Sequence, residues 1–65
     1  MRIDLNGEPL VTAAQTLALL LDEQGFDAAC VATALDGAFV PRGKRAATPL
    51  CEGARVEVLA PMQGG

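Results

Sequence analysis

Apolar and polar residues alternate over Arg2-Ile3-Asp4-Leu5, the two-residue period of a half-buried strand. Asn6-Gly7 follows, a pair suited to a two-residue hairpin because both turn residues must accept positive φ. The chain returns as a second strand over residues 8–12, and a two-residue turn sets Ile3 opposite Leu10. Pro9 lacks an N–H, so this strand belongs at an edge of the sheet. The period then lengthens. Leu17, Leu20 and Leu21 recur at i, i+3 and i+4, the face of a helix predicted over residues 17–24, with Thr16 as N-cap and Gly25 as the left-handed stop. A helix of two turns does not hold by itself in water, so its leucine stripe has to pack on a sheet.

Residues 30–35 predict a third strand, Asp36-Gly37 a second hairpin turn, and Ala38-Phe39-Val40 a short fourth strand that Pro41 stops. With a two-residue turn, Val31, Thr33, Leu35 and Val40 share one face, and Ala32, Ala34 and Phe39 share the other. Bulk assigns the first set to the core; a slip of one residue would exchange the two. Arg42-Gly43-Lys44-Arg45 holds three of the five cations and is read as a solvated turn or a single helical turn. Glu52-Gly53 is a turn, and residues 55–60 form the last strand, with Val56 and Val58 inside and Leu59 outside. Two hairpins, a helix between them and a final strand describe an α+β domain. The helix covers one face of a mixed sheet of about five strands, and the last strand lies between the first and the third. This is the β-grasp, or ubiquitin-like, roll.

Composition narrows what such a domain does. Sixty-five residues make one domain near the lower limit for a self-sufficient core. The net charge of −3 argues against nucleic acid and against a polybasic membrane contact. The N-terminal residues lack the apolar run of a signal segment, and two isolated cysteines suit free thiols in a reducing compartment, so the expected location is cytoplasmic. There is no His, and Cys30 and Cys51 alone make no zinc site, so no metal or bound cofactor is expected. Asp22 and Glu23 fall on the solvated side of the helix. The chain reads as a substrate or partner of enzymes.

The C-terminal residues Ala60-Pro61-Met62-Gln63-Gly64-Gly65 support that reading. Pro61 should end the last strand, leaving residues 1–60 as the folded domain and 61–65 as a flexible tail. Glycine adds nothing to a core, and a tail without Cβ atoms at its end can enter a narrow channel and present an unhindered carboxylate. Five extended residues span about 17 Å. The alternative is an ordinary frayed chain end.

Taken with Ile3-x-Leu5-Asn6-Gly7-Glu8, Leu35-Asp36-Gly37-x-Phe39-Val40-Pro41-Arg42 and Glu52-Gly53-x-Arg55-Val56-Glu57-Val58, the Gly64-Gly65 end resembles the ThiS family, the small sulfur carrier proteins of thiamine biosynthesis. The resemblance covers essentially the whole chain. It implies that a ThiF-like adenylating enzyme uses ATP to activate the Gly65 carboxylate. A sulfur donor such as a cysteine desulfurase or rhodanese then supplies sulfur to form a thiocarboxylate, and a ThiG-like thiazole synthase consumes it. Gly64, Gln63 and Met62 would be recognised in the tail, with Leu59 and Phe39 as docking anchors on the face away from the helix. Other readings are the small subunit of molybdopterin synthase, a carrier for another sulfur-containing product, a modifier joined to lysines of other proteins, and a β-grasp interaction module with an inert tail.

Overall fold

The computed structural model describes residues 1–60. The expectations for Pro61, Met62, Gln63, Gly64 and Gly65, including the flexible tail, lie outside the described residues. The elements run β1 (Arg2–Leu5), β2 (Glu8–Val11), α1 (Leu17–Glu23), β3 (Ala32–Leu35), β4 (Ala38–Val40), a 3-10 helix η1 (Arg42–Ala47) and β5 (Arg55–Leu59).

The five strands form one sheet in the order β2-β1-β5-β3-β4. Both hairpins are antiparallel, and β5 enters between them, parallel to β1 and antiparallel to β3. Ile3 lies opposite Leu10, and Pro9 sits on the β2 edge, as the turn length requires. Asn6 and Asp36 open their turns at φ 52° and 50°, and the following glycines continue at 84° and 86°. This is the doubly left-handed turn that Asn-Gly and Asp-Gly tolerate and most pairs do not.

Thr16 caps α1, its Oγ1 accepting from the Leu19 N–H at 3.2 Å. Leu17, Leu20 and Leu21 are fully buried with Ile3, Val56 and Val58 beneath them. Burying a leucine contributes about 1.5–3 kcal/mol, so this stripe holds a helix too short to stand alone. The helix ends at Glu23, one residue earlier than the periodicity suggests, with Gln24 as its C-cap and Gly25 following at φ 77°. The start of α1 is fixed by the segment after η1: Leu17 N–H donates to Thr48 C=O and Leu50 N–H to Gln15 C=O, both at 2.9 Å. Thr12, just past β2, joins three parts of the chain. Its buried hydroxyl bonds the Glu23 carboxylate and accepts from Ala14 N–H, while its carbonyl accepts from the Met1 ammonium.

Residue parity on the second hairpin is as bulk assigns it. Thr33 and Val40 are buried as a cross-strand pair, Val31 and Leu35 are half-buried, and Ala32 and Phe39 are exposed, while Ala34, on the outward face, is half-buried between its neighbours Phe39 and Glu57. Two expectations change. The third strand begins at Ala32, not at Cys30, because residues 27–30 close a local turn: Asp27 accepts from Ala29 N–H on its carboxylate and from Cys30 N–H on its carbonyl. The cationic segment is also not wholly solvated. Arg42 and Lys44 are exposed, but Arg45 is only 4% exposed and turns into the fold. The cause is a set of acceptors assembled by the tertiary structure: Nε donates to Thr33 Oγ1 at 2.9 Å, Nη1 to Ala28 C=O at 2.8 Å and Nη2 to Val31 C=O at 2.6 Å. A guanidinium carries enough donors in a rigid fork to meet all three.

Candidate functional site

The last strand decides where the described chain ends. β5 lies in the middle of the sheet, with Val56 and Val58 turned to the helix and Arg55, Glu57 and Leu59 turned away. It is held by the turns of both hairpins. At its start, Asp36 brackets Arg55: the Asp36 carboxylate accepts from Arg55 N–H at 2.8 Å, and Asp36 N–H donates to Arg55 C=O at 2.7 Å. Near its end, the Asn6 carboxamide brackets Val58: Oδ1 accepts from Val58 N–H at 2.8 Å, and Nδ2 donates to Val58 C=O at 3.2 Å.

On the sheet face away from α1, besides Val11 on the distant β2 edge, Phe39 and Leu59 are large exposed apolar side chains, at 69% and 65% exposure. Their register puts small residues between them. Phe39 pairs with Ala34, which pairs with Glu57; Ala32 pairs with Leu59. The alanines leave a shallow groove lined by Ala32, Ala34, Phe39, Glu57 and Leu59. A second groove, at the end of β5, is lined by Ala29, Cys30, Val31, Ala32, Leu59 and Ala60. A third runs along the other side of β5, past Asp4, Asn6, Gly7, Arg55 and Glu57 to Leu59. Leu59 borders all three. The two proposed anchors thus share one face, and Leu59 stands next to Ala60, where the described chain ends.

Both cysteines are free and exposed. Cys30 Sγ donates to Asp27 Oδ2 at 3.3 Å, and that hydrogen bond, with the carboxylate's charge, pushes the thiol up from its ordinary value. A thiol held protonated is a poor nucleophile. Among the described residues no group of three or more His, Cys, Asp or Glu is placed to hold a metal ion, and no helix is long and apolar enough to cross a membrane. Sequence reasoning missed Asn6 and Asp36 as ties on β5. Their turn role has a local signature; their long-range bonds have none.

A five-stranded mixed sheet with one main helix on one face, and its C-terminal strand inserted between two hairpins, defines a ubiquitin-like β-grasp domain. The ThiS family model matches residues 3–65, and the chain belongs to that family of small sulfur carriers. A crystal structure of the thiamine biosynthesis protein ThiS from Geobacter metallireducens superposes with a TM-score of 0.83 at 32% sequence identity, covering 100% of both chains. An NMR solution structure of a thiamine biosynthesis protein from the same organism gives a TM-score of 0.81 at 32% identity, covering 100% of this chain and 88% of the other. No curated protein matches the chain.

Proposed function

We propose that this protein carries sulfur for thiazole formation in thiamine biosynthesis as a thiocarboxylate on Gly65, serving enzymes as a cosubstrate. Family membership across residues 3–65, which includes the Gly64-Gly65 end, carries the reading. The chemistry follows from the weakness of a carboxylate as an acyl donor. A ThiF-like enzyme joins the Gly65 carboxylate to AMP from ATP, releasing pyrophosphate and making a mixed anhydride with a good leaving group. The terminal sulfur of a persulfide, formed by a cysteine desulfurase or rhodanese, attacks the acyl carbon and expels AMP. A thiol then cleaves the S–S bond, becoming part of a disulfide and leaving the thiocarboxylate on Gly65. A ThiG-like thiazole synthase takes that sulfur and returns the carboxylate. The chain itself contributes recognition, reach and an unhindered acyl group, and its partners supply the acid–base and nucleophilic groups. Phe39 and Leu59 are the docking anchors, Met62, Gln63 and Gly64 are read in the partner's channel, and the cytoplasm keeps both thiols reduced.

Intact-mass spectrometry tests the proposal. Incubation with the cognate adenylating enzyme, ATP and a persulfide donor should add the mass of one sulfur-for-oxygen exchange, located at Gly65. A variant lacking Gly65 should remain folded and uncharged. An unchanged mass for the full chain, or equal charging of the shortened chain at its new end, would overturn the reading.

A further inference from the structure

The β1–β5 ladder steps along β5 two residues at a time. Asp4 N–H donates to Ala54 C=O at 2.8 Å and Asn6 N–H to Val56 C=O at 2.9 Å. The next β5 residue in that series is Val58, but β1 has already turned away at Asn6 and Gly7. The Asn6 side chain takes up the step: its carboxamide, which both accepts and donates as a peptide group does, meets both backbone groups of Val58. The other hairpin shows why this position holds Asn. Asp36 needs only to accept with its side chain, since its own N–H supplies the donor to Arg55. Asn6 has spent its N–H on Val56, so its side chain must donate as well as accept, which an ionised Asp does not do.

We infer that Asn6 is a positioning residue for sulfur transfer: its carboxamide extends the β1 side of the sheet to Val58 and so fixes the end of β5 up to Ala60, the root from which the chain continues to Gly65. The transfer part of this rests on the carrier function proposed above. Val58 lies two residues before Ala60, so a displacement of the end of β5 carries directly to the last described residue, from which Gly65 is five residues further along the chain. A displaced root costs reaction rate without changing docking, because reacting atoms must meet at about 3–3.5 Å.

The turns at residues 6 and 36 provide a matched pair of variants. Asn6→Gly removes the clamp on Val58 and Asp36→Gly removes a turn-to-β5 bond at the far end of the same strand; both keep a backbone that accepts positive φ. Asn6→Asp is the second probe at residue 6, retaining the turn and losing the donor. With the adenylating enzyme and ATP, at a temperature where every variant is folded, Asn6→Gly and Asn6→Asp should lower kcat for AMP transfer fivefold or more. Asp36→Gly should stay within twofold, and Kd for the enzyme should stay within twofold throughout. In the free protein, NMR order parameters at Leu59 and Ala60 should fall in the residue-6 variants and hold in Asp36→Gly. Equal losses of kcat at residues 6 and 36 would make the bond merely structural and overturn the assignment, as would unchanged order at Leu59 and Ala60. If the unaltered protein accepts no AMP, the carrier function fails by itself, and the order parameters still decide whether Asn6 sets the root of the tail.

Discussion

Arg45 donates from Nε to Thr33 Oγ1 at 2.9 Å, and Thr33 in turn donates to Val40 C=O at 2.9 Å, so one buried cation is wired into the second hairpin. The same guanidinium holds the carbonyls of Ala28 and Val31, and thereby the segment that leads into β3. Replacing Arg45 by Ala strands these acceptors. Hydrogen bonds to charged groups are worth about 1.5–3 kcal/mol each, with incomplete additivity, so the expected loss is about 2–4 kcal/mol of unfolding free energy. Arg45→Lys should recover less than half of it, because an ammonium does not span acceptors set for a planar fork. Urea denaturation measures both; a loss below about 0.5 kcal/mol for Arg45→Ala would show that the network contributes nothing net.

The exposed pair Phe39 and Leu59 should act together in docking. Leu59→Arg is expected to weaken binding to the adenylating enzyme tenfold or more, about 1.4 kcal/mol. Phe39→Ala should weaken it in the same direction, within the usual range of about 1–4 kcal/mol for an interface anchor. Both side chains project from the sheet into solvent, so the melting temperature should hold. Calorimetric titration checks the prediction, and binding within twofold of the unaltered protein would move the docking surface elsewhere, with exposed Arg42 and Lys44 the next place to look.

Glu23 gives the fold a pH dependence of known sign. The Thr12 hydroxyl, first among its causes, holds its carboxyl below the ordinary 4.5. A folded-state value below the unfolded one stabilises the fold wherever the group is ionised. That contribution is present above 4.5 and is lost as pH falls through the lower folded value. The stability difference between the protein and its Glu23→Gln variant should therefore be flat near neutrality and shrink on acidification. A difference that grew as pH fell would reverse the assignment.

Cys30 and Cys51 should both be dispensable for sulfur loading. A Cys30→Ala, Cys51→Ala double variant is expected to be charged at Gly65 as fast as the unaltered protein. Alkylation should also show the restraint on Cys30 directly: Asp27→Asn removes the charge that keeps the thiol protonated and should speed its reaction at neutral pH. A folded double variant that fails to load would make one of the thiols part of the transfer.

Much of this architecture is legible in the sequence because its determinants are local. Asn6-Gly7 and Asp36-Gly37 specify two-residue turns, the turns fix register, and register alone sends Ile3 and Leu10 one way and Phe39 the other. Thr16 and the leucine spacing place the helix to within a residue. Arg45 was not legible, since what buries it is a set of backbone carbonyls from residues 28 and 31, and a carbonyl has no sequence signature. The same holds for the start of β3: Val31 is apolar enough to extend the strand, but its carbonyl is engaged by Arg45. The Asn6–Val58 contact joins residues 52 apart, a separation at which pattern reasoning has nothing to compare.

The insertion of β5 between β1 and β3 also governs when this protein can fold at all. A nascent chain that stops before Arg55 holds two hairpins and a helix but lacks the strand that joins them, so the leucines of α1 have no continuous sheet to cover. Folding must therefore wait until residues 55–59 have left the ribosome, and non-local pairing of this kind is slow to form. A chain cut short ahead of β5 would lack the strand that joins its two hairpins. The sheet order thus acts as a check on completeness: a folded copy is one whose chain has been made at least as far as the strand that leads to Gly65.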